Sequence, residues 1–336
     1  MSDKRIIMLD ATSLSSSACM QKFWNICIEG YKQLPDASAI YGVAFHGFVD
    51  AMYRTKGNLR VASDKAKKLF NEPKIENTKY KYVNDYNHLI GVCYNAWNDW
   101  LQQDNNYQLL TIPSKCWCCD GTGITPGEHS CTICCGHGII PGPSSELTFK
   151  IRFYEDKHII VYLCGTIDNI GKFVNGIFAL RDFKTTSQHD QEEFLSGFEL
   201  KAQLRVYTLA FKLMAEQEPE STLGKIGAGK IGAFIDGIFL SSKINDVTFA
   251  RSQVFVFDDN DMAHFRYMLG CFCQKLSSAI QQYQPISKDG IMNGVCTQFF
   301  KKCQFWNVCR NNKVVGDLIL KRDFIRKEYN PLMWHE

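Results

Sequence analysis

No apolar run in this chain approaches the ~20 residues that cross a bilayer, so no membrane is expected among its partners. Met1 to Asp10 put charge on both sides of a short apolar stretch and lack the apolar core and cleavage site of a secretory signal. The expected location is therefore the cytoplasm. An excess of one charge is also missing: 38 Lys and Arg stand against 35 Asp and Glu, a net charge of +3, so bulk charge alone identifies no partner. There is no internal repeat of the solenoid kind. A phosphate-gripping loop, G-x-x-x-x-G-K followed by Ser or Thr, is absent as well. The stretch Gly224-Lys-Ile-Gly-Ala-Gly-Lys-Ile lacks the hydroxyl and the spacing. Any nucleotide-driven work would need a separate protein.

What is present is an ordinary globular composition, 45% apolar and 22% charged over 336 residues, which suits one large core carrying an inserted module. Residues 1–112 read as mostly helical. Ser15 to Lys32, Ile40 to Tyr53 and Tyr86 to Leu101 carry apolar residues at helical spacing. Residues 113–143 are rich in Gly, Cys and Pro without apolar period, and read as a small insertion. Residues 144–290 hold the strand patterns Leu147 to Tyr154, His158 to Cys164, Gly176 to Phe183, Gly232 to Leu240 and Val247 to Phe257. Helices are expected there over Glu199 to Ala215 and Asp261 to Gln282. Residues 291–336 form a cysteine-bearing segment with a basic end, Lys301, Lys302, Arg310, Lys313, Lys321, Arg322, Arg326 and Lys327, able to meet phosphates or simply to face solvent.

Fifteen cysteines in a chain of this size, without an export signal, point to metal rather than disulfides. Cys116-Trp-Cys-Cys119-Asp-Gly-Thr-Gly and Cys131-Thr-Ile-Cys134-Cys-Gly-His-Gly each read C-x-x-C-x-G-x-G. Two such knuckles supply the four thiolates of a closed tetrahedral Zn²⁺ site: Cys116, Cys119, Cys131 and Cys134. The doubled motif resembles the zinc module of DnaJ-type chaperones. Nothing resembling a J-domain accompanies it, so the resemblance carries the zinc site and not chaperone activity.

A second group, Cys296-x6-Cys303-x5-Cys309, has three thiolates and needs a fourth, for which Cys19 is the candidate. This layout resembles the iron–sulfur members of the RecB-like nucleases, including AddB-type helicase-nucleases and CRISPR adaptation nucleases. In that group one cysteine precedes the nuclease motifs and three follow, and together they hold a 4Fe–4S cluster. Four thiolates serve zinc equally well, and zinc stays open as the rival occupant. Cys27, Cys93, Cys164, Cys271 and Cys273 read as free thiols.

Between these cysteines lies a set of residues suited to phosphodiester hydrolysis. Gly165-Thr-Ile-Asp168 is followed by Leu180-Arg-Asp182-Phe-Lys184. Residues two apart on a strand share a face, so Asp182 and Lys184 point to one site, and Asp168 on the neighbouring strand can share a metal with Asp182. Carboxylates are the ligands Mg²⁺ or Mn²⁺ prefer, and a lysine beside them can stabilise the charge that develops on phosphate. Gln203 and Tyr207, four apart, share one helix face. Tyr41-Gly-Val-Ala-Phe-His46 places a histidine on an earlier helix.

In order, Cys19, His46, Asp168, Asp182-x-Lys184, Gln203/Tyr207 and three cysteines resemble the PD-(D/E)XK nucleases of the RecB-like kind across nearly the whole chain. The resemblance implies an α/β (α+β) restriction-endonuclease-like core, with a mixed central sheet flanked by helices, an N-terminal helical region and the small zinc insertion as a departure. It implies His46 as a metal ligand, the Phe183 carbonyl completing the metal shell, and the Gln203/Tyr207 pair beside the DNA strand. It also implies DNA as partner, with exonuclease action on single strands or ends, in recombination, repair or phage and CRISPR DNA processing, alongside a separate helicase or recombination protein. The competing reading is a non-catalytic DNA- or helicase-binding platform. Retention of Asp168, Asp182 and Lys184 speaks against it.

Overall fold

A computed structural model of the chain describes residues 4–102, 104–115, 124–125, 129–130, 137, 139–283, 293–298 and 301–332. Seven strands form one mixed sheet: β1 (Arg5–Leu9), β2 (Tyr107–Leu109), β3 (Ser145–Glu155), β4 (Ile159–Phe173), β5 (Phe178–Thr186), β6 (Ile231–Phe239) and β7 (Thr248–Arg251). The long β4 is its spine. Along one edge, β3 runs antiparallel as far as Asn169 and β2 continues from Gly171. Along the other edge, β1 lies parallel beside Ile159–Leu163, and β5 pairs antiparallel only with Asn169–Lys172. The stretch from Cys164 to Asp168 thus has no strand on that edge, and the sheet forks there. Beyond β5, β6 is parallel and β7 antiparallel. All nine residues of β6 are buried, as expected of a strand covered on both faces.

Helices cover both faces. The labelled ones are α1 (Ala11–Ser16), α2 (Ala37–Arg54), α3 (Leu59–Phe70), α4 (Tyr86–Asn95), α5 (Ala202–Gln217), α6 (Asp259–Gln281) and α7 (Lys313–Asp323). α2 starts where the Asp36 carboxylate accepts the Ser38 N–H, and ends where Lys56 and Gly57 turn left-handed. Its apolar side, with α3 and α4, packs on Phe183, Ile238, Leu240 and Val247. On the opposite face α5 and α6 pack against β4 and β6. The chain is an α/β protein with a mixed sheet between helical layers. Among the described residues no helix is long and apolar enough to cross a membrane.

Several elements depart from expectation. Ser15 to Lys32 is not one helix: Ser16 and Ser17 turn their hydroxyls back onto the Thr12 and Leu14 carbonyls, and Cys19 is extended. β4 runs nine residues past Cys164, which places Asp168 inside a strand. β1, α3 and α7 are additional. Of α3 only Ala62, Ala66 and Phe70 are buried, one per turn, while Leu59 and Val61 are exposed, so its buried stripe is too thin to stand out. The insertion rises from an antiparallel ribbon, Thr111–Lys115 against Ile139–Pro143, so the expected boundary at 112/113 falls within its first strand.

The two ends of the described chain meet. Ile325–Arg326 pairs with Tyr31–Lys32, and the Lys327 N–H donates to the Gly30 carbonyl at 2.9 Å. Gly30 has φ 75°, and a side chain there would collide with the Lys327 carbonyl oxygen, so glycine is required.

Beneath the fork lies a buried charge cluster. Arg181 and Asp236 are 1% and 0% exposed and lie 2.8 Å apart (Nε to Oδ2). Arg181 also donates to Asp104 at 2.5 Å and to the Tyr53 hydroxyl at 3.1 Å. Arg251 grips Asp236 through two bonds of 2.7 and 2.8 Å. The cluster pins β5, β6 and β7 in register from the face opposite Asp182. Removing one partner strands a buried charge. Asp236→Ala is expected to lower unfolding stability by about 3–5 kcal/mol, read from the denaturant midpoint; a loss below about 1 kcal/mol would contradict this role.

Candidate active site

The carboxylate of Asp168 sits at the fork. Where β5 leaves β4, the Phe183 N–H donates to Asp168 Oδ2 at 2.5 Å, so the side chain replaces a ladder partner. Its other oxygen, Oδ1, faces His46 Nδ1 of α2 at 3.1 Å. α2 comes this close because residue 42 is glycine: a methyl group there would lie 3.1 Å from Thr185 Oγ1. On the far side of β4, Glu146 lies directly across from Asp168, between the Ser145–Asn169 and Leu147–Ile167 pairs. Its Oε1 is 3.9 Å from His46 Nδ1. One ligand atom each from His46, Glu146 and Asp168 lie within 4.8 Å of one another.

Asp182 and Lys184 share a face of β5, as their spacing requires. The Lys184 ammonium contacts Asp182 Oδ2, and the Gln203 amide of α5 donates to Asp182 Oδ1 at 2.7 Å and to the Tyr207 hydroxyl at 3.0 Å. Gly165 explains how the Tyr207 ring fits, since a methyl group there would press on Phe149 at 3.1 Å and on Tyr207 at 3.4 Å. The fork thus gathers groups from both helical layers, His46 from one and Gln203 with Tyr207 from the other.

This crowding moves protons. Burial pushes the Asp182 carboxyl up, Lys184 pulls it down and Asp168 adds to the rise, giving about 6. Burial and the Asp168 charge push Glu146 up to about 8. At His46 burial opposes the charged form, but Asp168 outweighs it and raises the imidazole to about 9. Burial likewise works against the charged form of Asp168, but His46, Lys184 and the Phe183 amide hold it below the usual carboxylate range.

Sequence reading missed Glu146. The reason is a β-bulge in the β3–β4 hairpin between Arg152 and Tyr154. Counting back from the hairpin turn without that extra residue puts Leu147 across from Asp168 and turns Glu146 to the other face. The Phe183 contact seen here is through its amide.

Of the terminal cysteines, Cys19 is buried and Cys296, Cys303 and Cys309 are half-buried. The Cys303 N–H donates to the Cys296 carbonyl at 2.8 Å. Asn293 donates to the Ala18 carbonyl at 2.7 Å, beside Cys19. Burial raises the Cys296 thiol, with Cys19 and Cys303 close enough to add to the rise. Cys303 and Cys309 both pack on Phe305, Leu320 and Phe324. Cys116, Cys119, Cys131 and Cys134 lie outside the described residues.

A family model described as the PD-(D/E)XK nuclease superfamily matches residues 16–310. No curated protein matches the chain. Among solved structures, that of SSO0001 is similar at 14% identity over 38% of this chain and 50% of that one, with a TM-score of 0.21; the match thus spans half of that chain's length, and a likeness this slight carries no argument.

The donor set fits a divalent cation that accepts carboxylate oxygen and imidazole nitrogen together. Protons and cation compete for the same atoms at Glu146 and His46, so binding releases protons and tightens with rising pH. Mn²⁺ affinity, measured by titration at a series of pH values, is expected to climb most steeply between about 6 and about 9, the range of the three raised groups. A flat profile across that range would contradict the assignment of these ligands.

Proposed function

We propose, for a chain that belongs to the PD-(D/E)XK nuclease superfamily, that it is a Mg²⁺- or Mn²⁺-dependent deoxyribonuclease, an exonuclease acting on single-stranded DNA or DNA ends. The observation that carries this reading is the double engagement of Asp168 by the Phe183 amide and His46, which fixes a carboxylate beside Glu146, Asp182 and Lys184. His46, Glu146, Asp168 and Asp182 would hold the cation, with the Phe183 carbonyl completing its shell. When bound, the cation polarises the phosphodiester and lowers the pKa of a water.

The chain's own residues do the rest. Gln203 fixes the rotamer of Asp182, and Asp182 holds the Lys184 ammonium at the fork. That ammonium stabilises the charge that builds on the phosphate oxygens. Tyr207 is packed tightly and its hydroxyl stays neutral, since burial raises it well above its ordinary value. It therefore serves as a hydrogen-bonding wall and not as a base.

Two groups of four cysteines extend the proposal. Cys19, Cys296, Cys303 and Cys309 would suit a 4Fe–4S cluster; the closeness of Cys296 to Cys19 and Cys303, and the packing of Cys303 and Cys309 on one apolar cluster, support this reading. Cys116, Cys119, Cys131 and Cys134 suit structural Zn²⁺. A separate helicase or recombination protein would supply the DNA ends.

End-labelled single- and double-stranded DNA, incubated with anaerobically purified protein, Mn²⁺ or chelator, tests the reading. Cleavage should require the cation, vanish in Asp182→Ala and fall by about 10²–10³ in Lys184→Ala. Visible absorption and bound iron should be lost in Cys296→Ser, and bound zinc in Cys116→Ser. Cleavage no greater than that of Asp182→Ala, in protein that holds its iron, would favour a DNA-binding platform instead.

A further inference from the structure

Glu146 is one of three non-glycine residues in the described chain with positive φ, at 50°. Side chains rarely adopt this region, and such residues persist only where their surroundings hold them. The ladder does not demand it. Ser145 pairs with Asn169 and Leu147 with Ile167, so no residue is inserted or lost around Glu146. The support comes from α2. The Arg54 guanidinium donates through Nη2 to the Ser145 carbonyl at 2.8 Å. That carbonyl belongs to the peptide whose orientation sets φ of Glu146.

Arg54 is itself fixed. Its Nε donates to Asp50 Oδ1 at 2.7 Å, and Lys65 holds Asp50 Oδ2 at 2.7 Å. Asp50 is 3% exposed while Arg54 and Lys65 are 22% and 42% exposed, so a buried carboxylate anchors the two cations that reach it from the surface side. His46, Asp50 and Arg54 follow at intervals of four along α2 and share one face. The helix that presents His46 therefore also sets the backbone that presents Glu146.

We propose that Arg54, anchored on Asp50, is a positioning residue for the metal site: by gripping the Ser145 carbonyl it keeps Glu146 in the left-handed conformation that aims its carboxylate at His46 and Asp168. The proposal rests on the reading that these three residues take up a divalent cation. It adds that Glu146 is delivered to the site by α2 and not by the β3–β4 hairpin alone. Lysine cannot replace Arg54, because a single ammonium does not bridge the Asp50 carboxylate and the Ser145 carbonyl as the planar fork does.

The test is Mn²⁺ affinity of the full chain, read from the electron paramagnetic resonance of free Mn²⁺, with melting temperature and circular dichroism recorded alongside. Arg54→Gln, Arg54→Lys and Glu146→Gln should each weaken binding by about tenfold or more. Arg54→Lys keeps a positive charge beside Asp50 and should melt close to wild type, which guards against simple loss of folding. The double variant Arg54→Gln/Glu146→Gln should bind no more weakly than Glu146→Gln alone, since the arginine acts through that carboxylate. Wild-type affinity in Arg54→Lys, or an Arg54→Gln penalty that persists in full in the Glu146→Gln background, would overturn the proposal. Unchanged affinity in Glu146→Gln together with loss in Asp168→Ala would overturn it while leaving a divalent-cation site at Asp168 intact. No Mn²⁺ binding by wild type would remove both.

Discussion

One hydrogen bond organises the molecule: the Phe183 N–H donating to the Asp168 carboxylate at the fork between β4 and β5. A continuous ladder would have paired Asp168 and Asp182 backbone to backbone and turned their side chains out onto covered faces. Because β5 leaves β4 after Asn169, the Asp168 side chain fills the opening and the sheet acquires a window. Through that window one helical layer contributes His46 and the other Gln203 and Tyr207. Small residues make the close approaches possible, Gly42 where α2 meets Thr185 and Gly165 where Phe149 and Tyr207 meet.

Gathering three carboxylates in a largely buried place carries an electrostatic cost that the surroundings offset in two ways. Nearby, Lys184 lies against Asp182, and the raised His46 imidazole against Asp168. Further back, fixed geometry does the work. The Arg181–Asp236–Arg251–Asp104 cluster holds the strands from behind, and the Asp50–Arg54 pair holds the hairpin from the side. Neither cluster contains a candidate ligand of the cation, and each holds backbone that carries one: β5 with Asp182, and β3 with Glu146. The meeting of the chain ends adds a longer-range constraint. Gly30 against Lys327, Arg326 against Glu29 and Tyr329 against Asp10 close a loop that spans almost the whole chain. A cluster on Cys19, Cys296, Cys303 and Cys309 would lock that closure covalently.

Much of this site was legible in the sequence, for a physical reason. Period-two strands and period-four helices fix which side chains share a face, so Asp182 with Lys184 and Gln203 with Tyr207 follow from spacing alone. Asp168 follows from its place on the strand before Asp182, while His46 comes only from the family resemblance, since its meeting with Asp168 depends on tertiary packing that no local pattern encodes. Glu146 was not found, because a bulge several residues away sets the face it occupies, and nothing at Arg152 or Tyr154 announces a bulge. β1 was overlooked because its five residues adjoin the charged start of the chain and acquire meaning only beside β4. The Ser15 to Lys32 stretch misled in the opposite direction. Its apolar spacing is helical, but the serines at its start bind their own backbone and break it.

The most direct test of the account is anomalous diffraction from crystals of the protein grown with Mn²⁺. The account predicts a manganese peak bounded by His46, Glu146, Asp168 and Asp182, lost in Asp168→Ala. A well-ordered site without a peak there, or manganese bound only elsewhere, would contradict the claim that the fork in the sheet is built to hold a catalytic cation.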